Sequence, residues 1–293
     1  MQIDGHSLTL RLGGRWYRGY GTAPCPVCQP EARKEQNALT LADGDAGRLL
    51  AHCKKSGCTF NDILAAVGIA AGGYTPPDST ILAQREAARR AEADRKAKRA
   101  RRVWGEAQPI KGTVAESYLR GRGITCDLPD TLRFHPDCFH GATASRHPAL
   151  VARISGAEGF AVHRTYLRPD GTGKAGIAHS KAMLGCTRGG AVRLSRGGES
   201  LAVAEGIETA LSLLSGLLPR PAATWAAQSA SGMAMLSLPP DPGHLTIATD
   251  GDPAGRKAGY ALAERADAQG WHVSLLPAPE GRDWNDVLQG RAA

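Results

Sequence analysis

Asp250-Gly251-Asp252-Pro253-Ala254-Gly255, entered from the apolar run Leu245-Thr246-Ile247-Ala248-Thr249, decides the fold of this 293-residue chain. It puts two carboxylates on one strand-exit loop. The run Leu201-Ala202-Val203-Ala204 ends in the same way, at Glu205-Gly206. Two short buried strands that each deliver acids to one sheet edge are a means of holding Mg²⁺ against a phosphate.

Around these runs, strand and helix patterns alternate. Leu201–Ala204 reads as a strand, Ile207–Leu214 as a helix, Ala222–Ala226 as a strand and Ala230–Leu236 as a helix. Leu245–Thr249, the amphipathic helix Pro253–Gln269 and the strand His272–Leu276 follow. This order predicts an α/β domain with a parallel sheet and a site outside the carboxyl ends of its strands, where Glu205 and Asp250 lie. Asp250 and Asp252 face one side if the segment is extended, and Gly251 relieves crowding between them. Asp283-Trp284-Asn285-Asp286 supplies a further acid pair after the last strand.

Upstream the chain is mixed. Ala149–Ile154 and Gly159–Leu167 read as paired strands about a Gly156 turn. A turn at Asp170-Gly171-Thr172-Gly173 then leads to Lys174 and Lys181. Thr113 and Glu116 form a capping-box pattern. Gly173-Lys174 is not a nucleotide-binding phosphate loop, because Arg168 stands where the first glycine belongs and Ala175 where Ser or Thr belongs. His135, Cys138 and His140 lie close in sequence but read as packing or loop residues. Residues 85–102 hold nine Lys/Arg against three acids in an Ala-rich background and predict a solvated, basic helix.

Four of the seven cysteines cluster early, as Cys25-Pro26-Val27-Cys28 and His52-Cys53 followed by Cys58. Between them Ala38–Leu41 and Arg48–Ala51 read as strands about an Asp43-Gly44-Asp45 turn. A Cys pair on each of two knuckles is a zinc ribbon pattern, with His52 an alternative ligand to one thiolate. Phe60–Gly68 then reads as a short helix with Asn61 as N-cap, and Gly72–Pro77 breaks the chain. Seven cysteines in a chain with no signal-peptide pattern at Met1-Gln2-Ile3-Asp4 speak against a disulfide framework, and no apolar stretch is long enough to span a membrane. The chain therefore reads as cytoplasmic, with no membrane partner. A formal charge of +8 together with local acid clusters suits a polyanion partner and metal-assisted chemistry.

Ala204-Glu205-Gly206-Ile207-Glu208-Thr209-Ala210, Asp250–Gly255 and Asp283–Asp286 together resemble the TOPRIM domain of bacterial primases, topoisomerases and some nucleases. With a zinc ribbon in front, the whole chain is similar to TOPRIM DNA primases of the replicative and phage, plasmid or mobile-element type. The resemblance implies a zinc-ribbon DNA-binding domain (1–72), a basic helical linker (73–104), a mixed α+β N-terminal subdomain of the catalytic core (105–198) and the TOPRIM domain (199–293). It implies template-directed joining of ribonucleoside triphosphates on single-stranded DNA with Mg²⁺ or Mn²⁺, and a helicase on a separate chain. Asp250, Asp252 and Asp283 would be Mg²⁺ ligands, and Glu205 a ligand or a general acid/base. Arg164, Lys174 and Lys181 would neutralise triphosphate or template phosphates. Cys25, Cys28, Cys53 and Cys58 would hold Zn²⁺, and Trp16, Tyr17 and Tyr20 could stack on bases. Arg282 precedes acids spaced three apart, a departure from the primase pattern that leaves the role of Asp286 open. A TOPRIM nuclease and a non-catalytic, single-stranded-DNA-binding recombination mediator are the alternatives.

Overall fold

The computed structural model describes residues 4–17, 19–32, 37–44, 48–69, 79–218 and 220–290. The extreme N-terminus, the turn tip at Asp45 and the expected Gly72–Pro77 break lie outside them. The chain divides into two compact units, Met1–Glu92 and Ala93–Ala293.

The first unit opens with α1 (Gly5–Arg11), fixed at its start by a capping box between Asp4 and Ser7. An antiparallel sheet follows: β1 (Arg15–Trp16), β2 (Tyr20–Ala23), β3 (Leu39–Asp43) and β4 (Leu49–Cys53), in that order. Alternation along β3 and β4 turns Leu39, Leu41, Leu49 and Cys53 inward against Leu8, Ile63 and Leu64. The helix expected next is α2 (Phe60–Ala66), but its N-cap is Thr59, not Asn61. Thr59 is extended and its hydroxyl accepts from the Asp62 N–H, which places the first helical residue one position before Asn61.

The basic stretch lies in α3 (Ser79–Glu106), whose residues fall in both units. In the first unit Arg85 pairs with Asp4 and Asp43. In the second, Ala100, Val103 and Trp104 form a narrow apolar stripe packed on the sheet, and most of the basic side chains are exposed.

The second unit is built on one ten-stranded sheet. After β5 (Gln108–Pro109) and α4 (Val114–Gly121) come β6 (Leu132–His140), β7 (Ser145–Ser155), β8 (Ala161–Tyr166), β9 (Lys181–Leu184) and β10 (Ala191–Arg193), all pairing antiparallel. Then β11 (Ser200–Ala204), α5 (Ile207–Ser212), β12 (Ala223–Ala226), α6 (Ala230–Ala234), β13 (His244–Thr249), α7 (Pro253–Asp267), β14 (His272–Pro277) and α8 (Trp284–Leu288) make the expected α/β alternation. β11, β12, β13 and β14 pair in parallel, and β10 joins them to the antiparallel part through β12. One face carries α4 and α5 over Leu132, Leu150, Ile154, Ala204 and Ala248. The other carries α6 and α7 over Val203, Trp225, Leu245 and Ile247. Covering both faces explains why the parallel strands read as continuous apolar runs. Among the described residues, no helix is long and apolar enough to cross a membrane.

Candidate active site and a four-cysteine cluster

The parallel strands bring the predicted acids together. Glu205 follows β11 and Asp250 follows β13, its neighbour in the sheet. Asp252 is the N-cap of α7, accepting from the Gly255 N–H at 2.6 Å, with Pro253 in the first helical turn. Gly251 lies where another segment crosses: a Cβ there would stand 1.9 Å from the Pro279 carbonyl oxygen, and its own N–H donates to Arg282 O at 2.8 Å. The glycine is required by this backbone approach rather than by crowding between the acids.

The same crossing carries Asp283 toward Asp250. Asp283 caps α8 in a reciprocal box: the Asp286 N–H donates to Asp283 Oδ1 at 2.8 Å, and the Asp283 N–H to Asp286 Oδ2 at 3.1 Å. Asp286 thereby acquires a structural part as the box partner. Buried Asn285 ties this short helix down, donating at 2.9 Å to both Arg122 O and Ser212 Oγ.

Electrostatics reflects the crowding. Burial, then the charges of Glu205, Asp283 and Asp252, push Asp250 up to about 7, with Lys181 opposing. Burial and Asp252 raise Glu205, opposed by the Ala230 N–H and Lys181. Asp250 Oδ1 is buried with no hydrogen-bond partner. The unpartnered Asp250 oxygen and the three acids whose charges act on it are a donor chemistry that Mg²⁺ or Mn²⁺ would suit, but among the described residues only the four cysteines converge closely enough to form a metal-ligand group.

Of the three predicted cations, Lys174 and Lys181 converge, and they do so on Glu208. Lys181 Nζ lies 3.1 Å and Lys174 Nζ 3.6 Å from its carboxylate, and the Tyr118 hydroxyl donates to it at 2.8 Å. Burial acts to raise Glu208, but Lys181, Lys174 and Tyr118 outweigh it and hold the carboxyl well below the usual range. Burial depresses Lys174, and neighbouring Lys181 adds to that against the pull of Glu208. Glu208 and Tyr118 had no assigned role in the sequence. An acid inside the otherwise apolar, hydroxyl-bearing segment Ile207–Leu214 was the signal available for Glu208. Tyr118 offered none, since its partner is ninety residues away.

Arg164 goes elsewhere. On β8, His163 and Thr165 share the face of their β9 partners Met183 and Lys181, and Arg164 points the other way. It donates to Phe139 O at 3.2 Å and lies over the Tyr166 ring. His163 is pushed down to about 4 by burial and then by Lys181, so it is neutral at physiological pH.

In the first unit the sulfurs of Cys25, Cys28, Cys53 and Cys58 lie within 4.8 Å of one another, Cys28 and Cys53 at 3.6 Å. Four thiolates around Zn²⁺ at about 2.3 Å would sit about 3.8 Å apart, so the set fits a tetrahedral zinc site. Burial raises Cys53, but the N–H groups of Ser56, Cys58 and Lys55 outweigh it and bring the thiol to about 6. Cys58 is pushed up to about 12 by burial and the neighbouring thiols. His52 is exposed on the outer side of β4 and is not part of the cluster. Tyr17 and Tyr20 are 41% and 46% exposed and stack at 5.2 Å between centroids, whereas Trp16 is half-buried edge-on to His6. In the second unit His135 and His140 bond to Glu106 and Thr143, and among the described residues they join no metal-ligand group.

Residues 200–293 match the family model described as Toprim domain, and residues 94–194 match a domain of unknown function, DUF7146. No curated protein matches. Among solved structures, a DNA primase domain from Pseudomonas aeruginosa is similar at 19% identity, over 67% of this chain and 74% of that one, with a TM-score of 0.41. The Aquifex aeolicus primase, zinc binding and RNA polymerase domains, is similar at 14% identity, over 98% of this chain and 80% of that one, with a TM-score of 0.40.

Proposed function

Since residues 200–293 are a Toprim domain, we propose that the chain is a DNA primase, joining ribonucleoside triphosphates into short primers on single-stranded DNA. The observation that supports this best is the juxtaposition of an acid cluster, with its orphaned Asp250 oxygen, and the Lys174–Glu208–Lys181 group on the neighbouring surface. One set suits a metal that meets phosphate oxygens, and the other supplies fixed positive charge for a triphosphate.

Glu205, Asp250, Asp252 and Asp283 would hold Mg²⁺ or Mn²⁺, which when bound would supply positive charge against the phosphates during nucleotidyl transfer. A 3′-OH gives its proton to Glu205 or to solvent and bonds to the α-phosphorus of the incoming triphosphate as the α–β phosphoanhydride bond breaks and pyrophosphate leaves. Lys181 and Lys174 carry the departing phosphates' charge, and Glu208 with Tyr118 fixes where the two ammonium groups sit. Glu205 serves as ligand or as general acid/base, and its raised pKa suits either part. Arg164, set on the opposite face of β8, belongs to a template path rather than to the triphosphate.

Residues 1–72 form a zinc-ribbon domain that holds Zn²⁺ through Cys25, Cys28, Cys53 and Cys58 and reads the template with Tyr17 and Tyr20. Residues 73–104 are the basic linker and 105–198 the N-terminal part of the catalytic core. Replication of a phage, plasmid or other mobile element, with unwinding by a helicase on another chain, is the setting in which such a primase works.

The test incubates the full chain with single-stranded DNA templates, labelled ribonucleotides and Mg²⁺ or Mn²⁺. New template-dependent oligoribonucleotides are expected. Shortened DNA with no new RNA would mean that the same acids serve a nuclease.

A further inference from the structure

On the sheet face opposite α4 and α5, the end of α3 covers one side and α6 with α7 the other. The stretch between is a trough of about 760 Å³, walled by Arg133, Arg153, Arg193 and Arg196 with Trp104 and Trp225. Strand alternation builds it. Arg133 pairs with Val151, two residues from Arg153, and Arg193 pairs with Trp225, so these side chains share one face. Leu132, Ala152, Ile154 and Val192 fill the core on the other.

Two of the arginines lie over indole rings. The Arg133 guanidinium lies 4.3 Å from the Trp104 ring centroid and that of Arg193 4.6 Å from Trp225. Arg133 also donates to Trp104 O at 3.1 Å. A single acid, Asp130, lines the trough, and among the described residues no carboxylate pairs with any of the four arginines. Uncompensated like charges around one hollow repel each other, and planar guanidinium groups present both bidentate donors for phosphate and flat faces for bases. The trough reaches Ala223 and Gly197, at the entry end of the parallel strands. The acid cluster sits at their exit end, roughly 10 Å or more further along.

We propose that this trough is a second nucleic-acid site, separate from the acid cluster. It takes a single-stranded segment whose phosphates lie on Arg153, Arg193 and Arg196 and whose bases stack on the guanidinium–indole pairs. Only the choice of ligand rests on the function proposed above.

The experiment is fluorescence anisotropy of a labelled oligothymidylate with the full chain over a range of salt concentrations. It compares the wild type with Arg153→Gln/Arg193→Gln/Arg196→Gln, with the corresponding triple lysine variant, and with Asp250→Asn. The glutamine variant is expected to bind about 10-fold or more weakly, with a salt slope shallower by about 2, from three lost phosphate contacts at about 0.7 each. The lysine variant, which keeps the charge and loses the planar stack, should keep the slope and bind several-fold more weakly. Asp250→Asn should bind as the wild type does. If the glutamine variant matches wild type in affinity and slope, the trough is no such site, whatever the fate of primer synthesis. If the wild type itself does not bind, both proposals fall.

Discussion

Asp250 shows most directly how one residue carries the site's strain. Its carboxyl, pushed up to about 7 by burial and by Glu205, Asp283 and Asp252, keeps a proton that the unfolded chain releases near pH 4. Between those values the folded state binds the extra proton, so metal-free stability falls as pH rises through the window. Asp250→Asn should therefore leave the melting temperature unchanged near pH 4 and raise it increasingly toward pH 7. Thermal melts in chelator check this, and a flat difference across pH would contradict it. Glu208 works with the opposite sign. Its folded pKa is depressed, so its contribution is present above the ordinary carboxylate range and is lost in acid. Glu208→Gln at neutral pH strips the partner from Lys174 and Lys181 and should cost about 1–3 kcal/mol in denaturant melts, less than for a fully buried pair because both ammonium groups are partly screened by solvent. Glu205 and Asp250 were visible in sequence because each ends an apolar run. Glu208 was not assigned, because its importance arises from Lys181, delivered by the β8–β9 pairing, and Lys174, delivered by the turn that bridges back to Leu167.

At the scale of elements, the site is where two strand exits meet the segment 279–283. Gly251 permits that meeting, with no room for a Cβ beside Pro279 O. Gly251→Ala should push the segment and Asp283 away, at a cost of about 2 kcal/mol, and weaken Mn²⁺ binding measured by paramagnetic resonance. Zinc content should stay unchanged, and Mn²⁺ affinity equal to wild type would show that Asp283 contributes nothing to the metal. The α/β alternation after residue 200 was legible because strands buried on both faces announce themselves as apolar runs. Caps were less legible: Thr59 displaced Asn61, and Thr113 caps α4 with no side-chain bond while Glu116 accepts from the Gly112 N–H. Neighbouring polar residues compete for the same backbone donors, and local geometry rather than residue type decides between them. The face on which Arg164 lies depends on strand register, which a one-residue slip would invert.

For the whole molecule, each unit gathers polar side chains that packing alone does not call for: four cysteine sulfurs in the first, and in the second Asp250 under the charges of Glu205, Asp283 and Asp252. The first unit has a small core, and a metal held by its four cysteines would add stability that limited burial does not supply. Cys25→Ser should release zinc measured by elemental analysis and melt this unit at lower temperature, and a wild-type chain purified without zinc would contradict the assignment. We propose nucleotide joining rather than nucleic-acid binding as the work of Asp250 and its neighbours. It is tested most directly by template-dependent oligoribonucleotide synthesis with wild type and Asp250→Asn, at matched occupancy of single-stranded DNA. Labelled primers are expected from the wild type and none from the variant; equal synthesis by both would overturn the role given to Asp250.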